Sequence, residues 1–260
     1  MIPAGFEGVE AQLWLWMIAM IRPGAAFVAA PVFGAQSVPV QLRLIVALAI
    51  GIPALDQVPF VLPEHGIASF AGIALVMGEI LAGLAIGFAV QIGFAAAMLA
   101  GEVIGNAMGI GFAGMVDPNS GASSPAIGQF LSILATFLFL AIGGHLMLAT
   151  IVIESYRALP PGEAWLGAKS LEGLVLFGGD LFAAGLAIAL PVGFSLILVQ
   201  IVMGMLSRSA PAMNLFSVGL PATLLAGLVL MAIAAPSMGE GITAAIGRGL
   251  AMARQIALGG

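Results

Sequence analysis

The positions of the charged residues divide the chain into long apolar runs. Residues without any Asp, Glu, Lys or Arg form four such runs, at 80–101, 118–153, 181–207 and 209–239. Each run is at least as long as the roughly 20 residues that a helix needs to cross the hydrocarbon core of a bilayer. These four runs therefore predict membrane-length helices.

Two further apolar runs lie near the N-terminus and are less regular. Arg22 interrupts the first, at about 11–31, and Arg43 interrupts the second, at about 38–55. The whole pattern predicts an all-α, membrane-associated protein with about six long apolar helical segments, near 9–31, 38–55, 67–105, 126–157, 172–207 and 214–247. Pro191 and Pro221 fall inside the last two segments, where a proline removes a backbone hydrogen bond and predicts a kink.

The composition supports the membrane assignment. Of the 260 residues, 62% are hydrophobic and 7% are charged, whereas about 25% of the residues of a soluble domain are charged. This excludes a soluble enzyme, a disordered chain and, because there is no cysteine, a secreted disulfide scaffold. The net charge of −5 argues against a nucleic-acid partner, and the lipid membrane is the expected surrounding.

Small residues recur at every fourth position along the second half of the third segment and just beyond its end. Gly93, Ala97, Gly101, Gly105 and Gly109 follow this spacing. Such a stripe lets helix backbones approach closely, which is how helices associate where lipid removes the hydrophobic driving force. Gly93, Gly101 and Gly105 are therefore candidate helix-packing residues, either within this chain or against another subunit.

Several acids lie at the edges of the long apolar runs. Glu79, Glu102 and Asp180 are in this position, where an ionised side chain needs a partner or an interfacial location. They are candidates for buried polar contacts, for an aqueous path or for helix ends at the interface. Arg22 and Arg43 could pair with Glu79 or Glu102.

Three other polar residues have predicted roles. His145 is a candidate for a structural, hydrogen-bonded histidine, with a proton relay as the alternative. Glu154 and Arg157, three positions apart on one helical face, predict a local ion pair.

Residues 101–125 combine glycine, apolar side chains and a polar turn. An ordinary interhelical loop is one interpretation, but the glycine-rich half also carries methionine, isoleucine and phenylalanine. Flexible backbone with adaptable apolar side chains is typical of a deformable constriction shielded by protein or by a water-filled cavity. The candidate residues of such a plug or pore loop are Met108, Gly109, Phe112, Met115, Asp117 and Pro118.

The motifs of enzymes are missing from the sequence. There is no phosphate-binding loop with lysine, no His-Glu-x-x-His and no Gly-x-Ser-x-Gly. We therefore expect no catalytic residues, no cofactor and no metal. A small-solute secondary transporter with broken helices stays open as an alternative, although the chain lacks two related halves.

A series of short motifs runs in order through nearly the whole chain. They are Arg22-Pro-Gly-Ala, residues 31–43, Gly78-Glu79, Gly101-Glu102, Met108-Gly109, Asp117-Pro118, Gly144-His145-Leu146 and Ala189-Leu-Pro191. In these motifs and in length the chain resembles the FliR/SctT family of type III export-gate proteins. A flagellar system is the first expectation, and a virulence injectisome with the same gate physics is the alternative.

The resemblance implies a fold and a role. The fold would consist of kinked helical hairpins, with a FliP-like part over approximately 1–170 followed by a FliQ-like hairpin over 171–260. Within the first part, residues 106–124 would be the plug that helps close the export channel.

The resemblance also implies an assembly. One copy would join several FliP and FliQ homologues, with FlhB and FlhA homologues as further expected partners, around a channel that unfolded export substrates cross. The expected location is the bacterial inner membrane, in the flagellar basal body, and the expected role in flagellum assembly is not enzymatic.

Overall fold

Helices account for most of the chain in a computed structural model. The structure describes residues 7–55, 69–110, 126–162, 167–209 and 219–259. The helices in these ranges are α1 (Glu7–Ala19), α2 (Ile21–Ala29), α3 (Val40–Leu55), α4 (Phe70–Ala107), α5 (Ala126–Ala141), α6 (Gly144–Ala158), α7 (Ala168–Ser209) and α8 (Leu220–Ala257). Since no residue in the same ranges belongs to a β-strand, the predicted all-α class is confirmed.

The predicted segments correspond to these helices, but two of them are broken. The first segment is divided at Met20 into α1 and α2. The fourth is divided into α5 and α6, whose axes differ in direction by 64°. Gly143 immediately precedes α6 with φ 71°, a left-handed conformation that glycine adopts without a steric penalty. The predicted kinked helical segments are therefore present.

Within the described ranges, four helical stretches are long and apolar enough to cross a membrane, or up to five if the bent pair α5 and α6 counts as one span. The three long helices α4, α7 and α8 contain 38, 42 and 38 residues. At 1.5 Å per residue each is roughly 60 Å long, about twice the thickness of the hydrocarbon core. The chain is a multi-pass membrane protein.

The prolines differ from expectation in one respect. Pro191 lies inside α7, as predicted. Pro221 was expected to interrupt a helix, but it is the second residue of α8, where a missing N–H breaks no intrahelical hydrogen bond. The proline inside α8 is Pro236.

The first of two compact units consists of residues 1–93, 140–178 and 247–260. In it α2 packs directly on α4, because a Cβ atom at Gly83 or Gly87 would collide with the α2 backbone at Arg22 or Ala26. Absent side chains thus allow the two backbones to touch. The large buried apolar side chains of this unit include Ile18, Phe27, Ile86 and Leu148.

The second compact unit consists of residues 94–139 and 179–246. Here α5 packs on α4 at Gly128 and Gly101, while α7 contacts α4 at Gly185 and Leu99. Helix α8 contacts α7 where Gly241 faces Ile188. Each of the helices α4, α5, α7 and α8 contributes one part to each unit. The division near residue 170 that the resemblance implies stays a prediction.

Candidate functional site: a buried arginine cluster and the end of helix α4

Arg22 and Glu79 form a fully buried ion pair in the first unit. Arg22 is the second residue of α2, and Glu79 lies on the facing side of α4. The Arg22 Nε donates to Glu79 Oε2 at 2.9 Å and Nη2 donates to Glu79 Oε1 at 2.6 Å. This two-point geometry matches the planar guanidinium to the carboxylate and fixes the rotation of α2 on α4.

The remaining contacts of Arg22 come from α6. Nη1 donates to Ser155 Oγ at 3.0 Å, and Nη2 donates to the carbonyl oxygen of Leu159 at 2.7 Å. Leu159 caps the C-terminus of α6, where carbonyl groups lack intrahelical donors. Arg22 therefore satisfies the end of one helix while it neutralises a charge on another.

The ring of Tyr156 closes the cluster on one side. The guanidinium carbon lies 4.1 Å from the ring centroid, a cation–π contact, and the Tyr156 hydroxyl donates to the carbonyl oxygen of Ala19 at 3.1 Å. Ala19 is the last residue of α1. A single cluster thus joins the end of α1, the start of α2, the first third of α4 and the end of α6.

The chemistry of this cluster is structural. The charges of Arg22 and Glu79 cancel, and four hydrogen bonds occupy the guanidinium. Both side chains have no exposed surface, so neither can bind a solute or pass a proton to water from this position. The arrangement fixes helices rather than carrying out chemistry.

The C-terminal end of α4 is the second candidate site. Gly109 has φ 81° and its N–H donates to the carbonyl oxygen of Asn106 at 3.0 Å, while the N–H of Ile110 donates to that of Gly105 at 3.1 Å. These two hydrogen bonds form a Schellman motif, which requires a left-handed residue that is usually glycine. The motif stops α4 immediately before residues 111–125.

Side chains from two other helices hold the same end of α4. The amide of Gln200, on α7, donates to the carbonyl oxygen of Ala107 at 2.7 Å, and the hydroxyl of Thr223, on α8, lies 3.2 Å from that of Met108. The side chain of Met108 is buried and lies where a Cβ atom at Gly227 would be. Three helices of the second unit therefore converge where α4 ends.

The predicted plug residues fall on both sides of this point. Met108 and Gly109 lie in the turn that follows the last residue of α4, Ala107. Phe112, Met115, Asp117 and Pro118 lie outside the described residues.

The predicted buried polar residues do not form one group. Glu79 is in the arginine cluster. Glu102 and Asp180 are both partly exposed, and no hydrogen bond or ion pair reaches Glu102 from the described parts of the chain. Arg43 donates to the carbonyl oxygen of Ala35 at 2.6 Å, while its Nε and the Nδ1 of His145 are buried without a hydrogen-bond partner there.

The predicted packing glycines differ in the space around them. A Cβ atom at Gly101 would lie 2.5 Å from the Cα atom of Gly128, whereas one at Gly105 would lie 3.7 Å from the side chain of Ile127. Gly93 is buried. Gly101 therefore marks a backbone contact, and Gly105 has room for a methyl group.

The polar partners that complete both sites are not predicted by the sequence motifs. Ser155, Tyr156, Gln200 and Thr223 received no role, although a polar side chain in a membrane-length run is the available signal. Among the described residues no group of three or more His, Asp or Glu is placed to hold a metal ion.

The fold and these contacts define a class of protein: a multi-pass helical membrane protein whose packing depends on glycine contacts and a buried ion pair. The chain belongs to the bacterial export proteins, family 1, since the model of that family matches residues 13–249. The matched range includes the arginine cluster and the end of α4.

Curated relatives confirm the resemblance seen in the motifs. The chain is 34% identical over 225 residues to the flagellar biosynthetic protein FliR of Escherichia coli (strain K12), covering 86% of this chain and 85% of that protein. The protein of the same name in Pectobacterium carotovorum is 33% identical over 216 residues, with 83% and 82% covered. That of Bacillus subtilis is 30% identical over 226 residues, with 84% and 85% covered.

Proposed function

We propose that this chain is the FliR-type subunit of a flagellar type III protein export gate in the bacterial inner membrane. The observation that carries the proposal is the match to several flagellar biosynthetic proteins named FliR, over more than four fifths of the chain and of each of these relatives. In this role the protein contributes walls and contacts to a channel and carries out no catalysis.

The proposed partners are FliP and FliQ homologues, with FlhB and FlhA homologues nearby. The last two helices are less buried within the chain than α4, which supports an assembled state. In the apolar, membrane-length stretch of each helix, 28% of the residues of α7 and 17% of those of α8 are buried, against 56% of those of α4. These helices leave broad apolar faces for lipid or for neighbouring subunits.

The segment 106–124 is proposed to be the plug of the channel. Its support is the way in which its first residues are held. The Schellman motif at Gly109, together with Gln200 and Thr223, fixes the point at which the chain leaves α4. A plug needs such a fixed root, because its position relative to the channel must be reproducible.

Deletion of the gene in its own host tests the function. We expect the loss of flagellar filaments, of swimming motility and of hook and filament proteins in the medium, with restoration by a plasmid copy. An affinity tag on the restored chain should co-purify FliP and FliQ homologues after mild detergent extraction.

Two controls give the test its specificity. The secretion of proteins by the general export route should be unchanged in the deletion strain. Intact motility would overturn the flagellar role; loss of injectisome effectors instead would favour a virulence system, and a defect limited to the uptake of one solute would favour a transporter.

A further inference from the structure

Glu240 presents an unneutralised carboxylate on an exposed face of α8. It lies in the middle of that helix, and no hydrogen bond or ion pair reaches it from the described residues. The hydroxyls one turn away are used elsewhere: Ser237 donates to the carbonyl oxygen of Ala234 and Thr243 to that of Gly239. The part of the chain that the structure describes therefore offers Glu240 no partner.

The surroundings of Glu240 are apolar. Gly241 packs on Ile188 of α7. Along the helix axis, Glu240 therefore lies at the same height as part of the uncharged run 181–207. At that height Leu186 and Leu190 are 54% and 53% exposed, and Ile233, two turns away on the α8 face, is 73% exposed. A carboxylate in such a belt is costly to leave against hydrocarbon.

The positions beside Glu240 suit a close helix–helix contact. Pro236 and Ala244, one turn away in each direction, are exposed and small. A Cβ atom at Gly239 would meet no other atom of the chain within 4 Å. Small residues around one polar group are typical of surfaces on which membrane helices pack and pair.

A second copy of this chain does not supply the missing charge. Two copies inserted in the same orientation keep equal residues at equal heights. The only Lys or Arg in residues 94–139 and 179–246 is Arg208. Along α7 it lies about 30 Å from Ile188, and Arg248, the next cation along α8, lies about 12 Å from Glu240, so that neither of these arginines of a second copy would stand at the height of Glu240.

We propose that the α8 face formed by Ile233, Pro236, Glu240 and Ala244 docks a membrane-length helix of another protein that carries an arginine or lysine at the height of Glu240. Arginine fits best because its guanidinium binds a carboxylate at two points. The inference rests on the proposed function in that the chain works inside an assembly of different subunits.

Photo-crosslinking in native membranes tests the proposal. A photoreactive phenylalanine analogue replaces Ile233 in the otherwise unchanged full chain, and mass spectrometry identifies the adducts. We expect an adduct with a different membrane protein, at a helix containing Arg or Lys. In Glu240→Gln its yield should fall about tenfold or more, since the partner's charge is left unpaired.

Two further variants complete the design. Glu240→Asp keeps the charge and should retain much of the adduct, while Glu172→Gln, which removes an exposed acid at the start of α7, should leave its yield unchanged. An unchanged protease-resistance pattern shows that each variant is folded. Adducts with lipid only, adducts with a second copy, or equal yields in Glu240→Gln and the parent chain would each overturn the proposal.

The outcome is separable from that of the proposed function. If the adduct is missing although gene deletion abolishes flagellar secretion, docking at Glu240 is wrong and the function stands. If the adduct forms with the expected chemistry although motility survives deletion, docking stands and the flagellar role is wrong.

Discussion

Arg22 combines a full charge with complete burial, and its contacts explain why this is stable. An isolated buried ion is strongly unfavourable, but Glu79 neutralises the charge, and Ser155 and Leu159 use N–H groups that the carboxylate leaves free. The cluster therefore gives α2, α4 and α6 one defined register rather than a large net stabilisation. Substituting only one of the two charged residues should therefore lower the stability of the protein strongly.

We expect Arg22→Met to destabilise the purified protein in detergent by about 3–5 kcal/mol, because Glu79 is left as an uncompensated buried charge. The double variant Arg22→Met/Glu79→Leu should be less destabilised than the single variant, since it removes both charges. The measurement is the free energy of unfolding, or the melting temperature where unfolding is irreversible.

The exposed ion pair between Arg254 and Glu154 is the matched control. Its N–O distance is 3.2 Å, and the two side chains are 61% and 33% exposed. Arg254→Met should therefore change the stability by about 0–1 kcal/mol. Equal effects of the two arginine substitutions would contradict the structural role of the cluster.

At this scale the sequence predicted which residues carry polar contacts better than it predicted their partners. The sequence does not show which of the two arginines, if any, pairs with Glu79 or with Glu102. Only the packing of α2 on α4 brings Arg22 to Glu79. The predicted pair of Glu154 with Arg157 is wrong, because Glu154 bonds to Arg254 across the fold. Spacing along one helix cannot show which distant helix comes alongside.

Glycine positions control how closely the helices of the second unit approach. Gly101 lets α4 touch the backbone of α5 at Gly128 and Ile127, where an added Cβ atom would lie 2.5–2.6 Å from backbone atoms. Backbone cannot rotate away as a long side chain can, so a larger residue must separate the helices. At Gly105, one turn further along α4, the nearest atom is an ordinary contact at 3.7 Å.

We predict opposite effects for two substitutions that are chemically identical. Gly101→Ala should destabilise the protein by about 1–3 kcal/mol through overpacking. Gly105→Ala should be neutral or stabilising by up to about 1 kcal/mol, since alanine favours a helix over glycine. Melting temperatures in detergent and the yield of the assembled complex measure both.

One result for Gly101→Ala and Gly105→Ala would contradict the packing argument. If Gly105→Ala lowers the melting temperature as much as Gly101→Ala, the contact of α4 with α5 is not what distinguishes the two glycines. A loss of complex yield in Gly105→Ala without loss of stability would instead place Gly105 at an interface with another subunit.

The sequence predicts most of the helices and some of the positions at which they are broken. Uncharged runs located α4, α7 and α8 because burial in a membrane selects apolar side chains at every position. The stripe through Gly101 and Gly105 was visible as a spacing, but only the structure separates a backbone contact from an ordinary one. The break at Met20 has a signal in the sequence, because Pro23 lies in the first turn of α2 and has no N–H to continue the hydrogen bonding of α1.

At the scale of the whole molecule, fixed helix–helix contacts occur together with apolar helix faces that the described residues leave exposed. The arginine cluster fixes the first unit and glycine contacts fix the second, while α7 and α8 expose most of their apolar length. A subunit of a larger membrane assembly has this distribution, because its partners bury what it leaves exposed. The family of bacterial export proteins is consistent with such a role.

Helices α4 and α5, which precede and follow residues 111–125, contact each other. Helix α4 ends at the Schellman motif of Gly109, and α5 begins beside it, since Gly105 faces Ile127. A short linker can therefore join the two helices without pulling them apart. This geometry makes the proposed plug removable as a unit.

We predict that replacing residues 112–122 with a short glycine–serine linker makes the assembled gate leak small ions. The proposed plug would be lost while Gly109, Gln200 and Thr223 still hold the end of α4. Membrane conductance in cells with normal complex yield should rise several-fold, because nothing else is proposed to close the channel at this point. Adding Gly101→Leu should remove the leak together with the complex, which shows that the leak requires assembly. Unchanged conductance at a normal complex yield would contradict the plug assignment, and the closure would then have to come from another subunit.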